Sequence, residues 1–364
     1  MINTIVVGAG KWAVECWLPL LTEQADRYAI RAVVDQRADA ALALASAFGL
    51  SPDQACADLT TALDRTPGLD AGIVLTSPEH HPPVIITLAE NRLNVLTEKP
   101  LATTHDEVTA ITQAAELHGV KVAVVQNYRY ETRIQRFREL IHSGQYGDLS
   151  HLVARFAADY RQPESWDVGD AHHMPDPLLI EGAIHHIDMI RYLSGHEIAS
   201  VTAMTRNPPW SSFAGPAVAG ILLRLDNDAI AIYEGTLLAA GEQRRWHREQ
   251  YRAECAEATL ALRADSITVH HAGNHTTIPT PADHPRHGHR RITTDFATWL
   301  TGGPPPDTHL ADNVHSITAV LAANAQPKPC HPATESLPDQ GRPARVRHKR
   351  PNRADDPGRG RRAD

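Results

Sequence analysis

Ile5-Val6-Val7-Gly8-Ala9-Gly10-Lys11-Trp12-Ala13 reads as strand, glycine turn and helix start. The spacing is G-x-G-x-x-A. Gly8 allows the tight turn, Gly10 lets backbone approach a pyrophosphate, and Ala13 is small enough for close helix–strand packing. The N–H groups that open the helix, with Ala9, Lys11 and Trp12 around them, suit a phosphate. Glycines end many strands, so the motif alone is weak. Its place at the first strand of a βαβ unit gives it force.

Short β-rich runs recur at Thr4–Val7, Ile30–Val34, Ala71–Leu75, Asn94–Thr97 and Lys121–Val125. Helical patterns lie between them at Ala38–Phe48, Val84–Asn91 and Thr104–His118. Buried β runs separated by helices imply parallel strands with right-handed crossovers. The expected fold of residues 1–126 is therefore α/β, a doubly wound Rossmann sheet with its ligand at the carboxyl ends of the strands. Asp35 follows the second strand, where a ribose-binding carboxylate belongs, and it favours NAD by repelling a 2′-phosphate. Arg37 can accommodate that phosphate, so NADP stays open. The bland alternative makes Asp35 a loop residue. Thr76-Ser77 ends the next strand at the same edge. His80 or His81 is within reach of the cofactor ribose, against the alternative of surface histidines.

After Asn127 the rhythm changes. Ile134–His142 reads as a connecting helix and residues 143–147 as a turn. Strand patterns follow at Leu149–Ala157, Ile198–Arg206, Ala217–Leu225, Ala229–Leu237, Tyr251–Cys255, Thr259–Arg263 and Ser266–His270. Asp226-Asn227-Asp228 suits a hairpin turn. Residues 127–325 are thus expected to form an α+β domain with a mostly antiparallel mixed sheet, interrupted by a helix around Glu181–Ser194. Residues 326–364 are rich in Pro and Arg, with ten Lys or Arg against five Asp or Glu. So little apolar surface predicts disorder.

The 364 residues carry a formal net charge of −8 and are 42% hydrophobic. The charge argues against nucleic acid as the main partner. Cys16, Cys56, Cys255 and Cys330 are scattered without CxxC spacing, which points to reduced thiols in a cytoplasm. The apolar runs fall short of the roughly 20 residues of a membrane helix. Met1 leads directly into Ile2–Val7, without a basic leader segment.

Two segments carry chemistry. Glu98-Lys99-Pro100 closes a strand at the carboxyl edge, where Lys99 can bond a substrate oxygen and Glu98 can orient it or bind ribose. The alternative is a solvated Lys–Glu pair. Glu181, His185, Asp188 and Tyr192 fall at i, i+4, i+7 and i+11, one helical stripe. A histidine beside carboxylates moves protons near neutral pH; a hydrogen-bonded packing histidine is the alternative. No HExxH set accompanies it, so no metal is expected. Asn127-Tyr128-Arg129-Tyr130 enters the interdomain cleft and brings Asn127 towards the cofactor and Arg129 towards substrate. Trp166, Trp210 and Trp246 are candidates for an aromatic wall, though core tryptophans are commoner. His172 precedes the helix and is a candidate substrate contact. His284, His287 and His289 read as exposed loop positions.

Val7-Gly8-Ala9-Gly10, Glu98-Lys99-Pro100, Asn127-Tyr128-Arg129 and His185-His186-Ile187-Asp188, in this order, resemble the Gfo/Idh/MocA oxidoreductase family over roughly residues 1–325. The resemblance implies a Rossmann domain followed by an open-faced mixed sheet, with Lys99 as the catalytic lysine before a cis proline. It implies D-x-G-x-H-x-x-D on the second-domain helix. Here His185 and Asp188 match, Glu181 replaces the first Asp and Ala183 the Gly. It further implies reversible NAD(P)-dependent oxidation of a secondary alcohol on a sugar, amino sugar, nucleotide sugar or cyclitol. His185 would move the proton, assisted by Glu181 or Asp188, in a homodimer or homotetramer. Two rivals remain: an NAD-dependent glycosidase working by transient oxidation and elimination, and a catalytically silent nucleotide-binding sensor.

Overall fold

The first 124 residues hold a parallel sheet of six strands: β1 (Ile2–Val7), β2 (Tyr28–Val34), β3 (Ala55–Cys56), β4 (Ala71–Val74), β5 (Asn94–Thr97) and β6 (Val122–Val124). Their order is β3-β2-β1-β4-β5-β6, and every pairing is parallel. That order is the doubly wound one, which opens a crevice at the carboxyl edge beside β1. The computed structural model describes residues 1–163, 165–166, 171–242 and 246–326. The tail expected to be disordered lies almost wholly outside them.

Between the strands run α1 (Leu18–Glu23), α2 (Ala38–Ala47), α3 (Leu59–Arg65), α4 (His81–Glu90) and α5 (His105–His118). α5 shows why its bounds were readable. Thr104 accepts from the Glu107 N–H while Glu107 reaches back, a capping box, and Gly119 ends the helix at φ 65°. The first helix is less regular, because Ala13–Trp17 is a π-turn before α1.

The second sheet has eight strands: β7 (Leu149–Ala157), β8 (Ile198–Arg206), β9 (Val218–Leu225), β10 (Ile230–Thr236), β11 (Gln250–Cys255), β12 (Ala258–Arg263), β13 (Ser266–His271) and β14 (Asn274–Pro279). The order is β14-β13-β12-β11-β7-β10-β9-β8. Among its described residues only β7 and β10 pair in parallel. The β9–β10 hairpin turns at Asn227-Asp228, with Asp228 at φ 65°. α6 (Thr132–Ile141) leads in from the first sheet, and α7 (Ile184–Ser194) follows a π-turn at Leu178–Ala183.

β14 and two late helices were not read from the sequence. α8 (His287–Leu300) returns to the first sheet, and α9 (Leu310–Asn324) packs against α7, β8 and β6. Ile292 and Phe296 of α8 pack with Val6, Ile73 and Leu96 on one face of that sheet. The opposite face, with Ile5, Val7, Val74 and Val95, joins a core that continues through α7 to the second sheet.

Candidate active site

The glycine turn takes the form its sequence demands. Gly8 sits at φ 105°, and a Cβ there would meet the Leu75 carbonyl carbon at 2.6 Å. Gly10 faces open space, with nothing within 4 Å of a built Cβ. That is room for a backbone-bound pyrophosphate at the helix entrance. Asp35 closes the far side. Its carboxylate accepts from the Ala9 N–H at 2.7 Å and from the Arg37 N–H at 2.9 Å, and it pairs with the Arg37 guanidinium at 3.2 Å. Burial pushes Asp35 up, but these hydrogen bonds prevail and hold its pKa below the ordinary value. These residues fit a dinucleotide.

Glu98 is deeply buried. One carboxylate oxygen accepts from two indoles, Trp12 Nε1 at 2.7 Å and Trp17 Nε1 at 2.8 Å. His289 Nε2 lies 3.7 Å away. Burial alone would raise the Glu98 pKa. His289 and the two indoles outweigh it and bring it down to about 2. Glu98 thus holds the glycine turn to the Lys99 turn and is sequestered from solvent. His289 is a buried residue of α8, not the loop position expected. Nothing near it in sequence announced that contact, which spans nearly two hundred residues.

Lys99, followed by a cis peptide to Pro100, reaches from the end of β5 to the π-turn before α7. Its Nζ lies 2.5 Å from Glu181 Oε2 and 3.3 Å from the Glu181 carbonyl. His185 stands one turn further along the same chain segment. Its ring stacks on Tyr128 at 4.3 Å and 14°. Burial, then the Lys99 charge, pushes its pKa well below the ordinary imidazole value. His185 is therefore neutral at neutral pH, and its buried Nδ1 has no hydrogen-bond partner among the described residues. Lys99, Glu181 and His185 together give a cation for an oxygen, a carboxylate to hold that cation and a neutral proton acceptor.

The expected single stripe is broken. Glu181 belongs to the π-turn, whose wider winding rotates it relative to the α-helical residues after it. Asp188 is fully buried and turned into a different network. Arg129 clasps it in a two-pronged pair at 2.8 and 2.6 Å, and Ser316 donates to it at 2.6 Å. This corrects two readings. Asp188 has no contact with Lys99 or His185 in this network, and Arg129 spends its donors on Asp188, Asp312 and the Asp307 carbonyl.

Other candidates scatter. Ser77 and His80 are exposed, with Ser77 bonded to Glu79. Thr76 flanks Gly8, while Lys11 lies on the surface near Glu15. His81, the alternative ribose contact, is buried against backbone carbonyls instead. Asn127 is buried, and its carbonyl leaves no room for a Cβ at Gly288 of α8. Trp166 stacks on Tyr160 and meets Trp246 at 5.7 Å, so two of the three tryptophans do share a cluster. Trp166 is core-buried, whereas Trp246 packs edge-on to His185 at 6.0 Å. Trp210 is exposed. His172 stacks on Phe213 at 4.1 Å beside Ser212. Sequence reasoning passed over Trp17, His247 and Glu249. Glu249 receives Arg133 and Tyr128, and His247 pairs with Glu131 at 2.5 Å. Among the described residues no group of three metal-ligating side chains occurs, and no helix is long and apolar enough to cross a membrane.

Residues 2–126 match the model of an oxidoreductase family with an NAD-binding Rossmann fold, and residues 134–261 match the GFO/IDH/MocA C-terminal domain. The chain belongs to the Gfo/Idh/MocA oxidoreductase family. NAD is the cofactor of that family's Rossmann domain. The protein y4oX of Sinorhizobium fredii is 27% identical over 288 residues, 76% of this chain and 79% of that one. Inositol 2-dehydrogenase of Corynebacterium glutamicum is 24% identical over 63% of this chain and 65% of its own length. The WlbA dehydrogenase of Bordetella pertussis, solved with NADH and UDP-GlcNAcA, shares the fold at TM-score 0.74 and 20% identity. The match covers 89% of this chain and 97% of that one.

Proposed function

We propose that this protein is an NAD-dependent dehydrogenase that interconverts a secondary alcohol and a ketone on a sugar or cyclitol. The observation that carries the proposal is the 2.5 Å contact of Lys99 with Glu181 beside neutral His185. Residues 1–126 hold the cofactor and residues 127–325 bind the substrate. The nicotinamide supplies the hydride acceptor. Lys99 donates a hydrogen bond to the reacting oxygen and stabilises the alkoxide character that develops there. Glu181 fixes the Lys99 ammonium. His185 takes the hydroxyl proton in oxidation and returns it in reduction. The names of relatives, inositol 2-dehydrogenase and D-apiose dehydrogenase, support a polyol substrate.

Met204, Leu222 and Ile230 are exposed on one face of β8, β9 and β10. These three apolar side chains on an open sheet face support its pairing with a second copy, giving a homodimer or homotetramer.

The test is NADH absorbance against sugars, nucleotide sugars, cyclitols and their keto forms, for wild type, Lys99→Met and His185→Ala. Turnover by wild type alone, with NADH still bound by both variants, is the expected result. Equal turnover in all three would sink the assignment.

A further inference from the structure

His81 opens α4 with its ring wholly buried. Nδ1 lies 2.7 Å from the Pro100 carbonyl oxygen, and Nε2 lies 2.9 Å from the Thr76 carbonyl oxygen. Those carbonyls belong to two different loops at the carboxyl edge of the first sheet. Thr76 follows β4, and its N–H backs onto Gly8. Pro100 directly follows Lys99. A carbonyl oxygen only accepts, so a neutral imidazole, with its one N–H, donates in only one of these two contacts. Burial pushes the His81 pKa below the ordinary value, against the pull of both carbonyls, Glu98 and Glu181. A neutral ring donates to one loop, while its other nitrogen packs against the second.

We propose that His81 is a positioning residue, a strap that ties the Lys99–Pro100 turn to the loop beneath the glycine turn. The strap sets where the Lys99 ammonium meets Glu181, and it rests on the role proposed above for Lys99. A flexible lysine needs such a base. Displacing a reacting group by about 1 Å costs on the order of 100-fold in rate. Glu98 grips the same turn from the other side, through its weak 3.3 Å acceptance of the Lys99 N–H. Pro100 is held from the α4 side by His81.

Side-chain amides separate the two contacts. An asparagine amide reaches roughly where Nδ1 lies and keeps the bond to Pro100. A glutamine amide reaches where Nε2 lies and keeps only the bond to Thr76. The chain has five lysines, Lys11, Lys99, Lys121, Lys328 and Lys349. Reductive ¹³C-methylation of the full chain therefore gives a sparse NMR spectrum, in which Lys99→Arg assigns Lys99. His81→Asn, His81→Gln and His81→Leu are compared with wild type, below their melting temperatures, by the Lys99 resonance and by kcat and the KM for NAD.

His81→Leu and His81→Gln should shift the Lys99 resonance and lower kcat by about 10- to 100-fold with KM for NAD changed less than about 3-fold. His81→Asn should restore most of both. Wild-type resonance and kcat in His81→Leu would overturn the proposal, as would Asn and Gln variants that behave alike. The Asn–Gln pair decides if His81→Leu does not fold. If Lys99→Met keeps turnover while His81→Gln still moves the Lys99 resonance, the role of Lys99 falls and the strap stands.

Discussion

The two glycines of the first turn should fail in different ways when each is changed to alanine. Gly8→Ala meets two costs at once. The φ of 105° is strained for any L side chain, about 1–3 kcal/mol. The new Cβ would also lie 2.6 Å from the Leu75 carbonyl carbon, 2.7 Å from its oxygen and 2.7 Å from the Thr76 nitrogen. None of these atoms gives way easily, because the Leu75 N–H bonds Val7 at 2.7 Å and the Gly8 N–H bonds Val34 at 2.8 Å. Overpacking adds about 1–3 kcal/mol. The sum, roughly 2–6 kcal/mol, is a large part of the about 5–15 kcal/mol that holds a typical fold. Gly10→Ala meets nothing within 4 Å and should melt like wild type, within about 0.5 kcal/mol. Its methyl instead fills the space for pyrophosphate, so NADH affinity should fall more than about 10-fold, over 1.4 kcal/mol. Urea unfolding and NADH fluorescence titration read the two effects separately. A Gly10→Ala protein with wild-type NADH affinity would refute the placement of the cofactor. A Gly8→Ala protein with wild-type stability would refute the packing argument.

Three further outcomes follow from the buried ionisable groups. Glu98 has a folded pKa of about 2, below its ordinary value, so its stabilisation is complete above pH 4.5 and is lost as pH falls towards 2, about 3 kcal/mol in all. The stability gap between wild type and Glu98→Gln should therefore narrow between pH 5.5 and 3, and a gap constant over that range would count against it. Asp188→Asn takes one of the two carboxylates from Arg129, leaving Asp312 at 2.7 Å, and should cost about 1.5–3 kcal/mol in unfolding; a loss below about 1 kcal/mol would contradict the clasp. His185 titrates below the ordinary imidazole value, so oxidation should hold its rate as pH falls past 6.5 and decline only further down. An acid limb of kcat/KM centred above 6.5 would exclude His185 as the proton acceptor.

Local pattern carried most of the fold. β5, β7 and β8 match their sequence runs residue for residue, because each is a β-rich run bounded by turn signals. β14 escaped notice because it is polar and mostly exposed, so it lacks the alternation that marks a half-buried strand. α8 escaped because its His- and Arg-rich start masks an apolar face made by Ile292, Phe296 and Ala297, with Trp299 and Leu300 half-buried beside them. Lys99 and His185 were legible as candidates, since a lysine at a strand's carboxyl edge and a histidine beside acids both demand explanation. Asp188 was not, for its partner Arg129 is 59 residues away and a periodic stripe cannot register the π-turn at Leu178–Ala183.

α8 also bears on how the protein comes into being on the ribosome. The Tyr28 hydroxyl donates to the Thr293 carbonyl at 2.5 Å, Gln24 donates to the Thr293 hydroxyl at 2.6 Å, and His289 faces Glu98. All six strands of the nucleotide-binding sheet are synthesised more than 160 residues before these partners. At about 5–20 residues per second the growing chain waits roughly 8–30 s with one apolar face of that sheet incomplete. The nucleotide-binding half is therefore early in sequence and late in assembly. A chaperone or the cofactor itself has that interval in which to act.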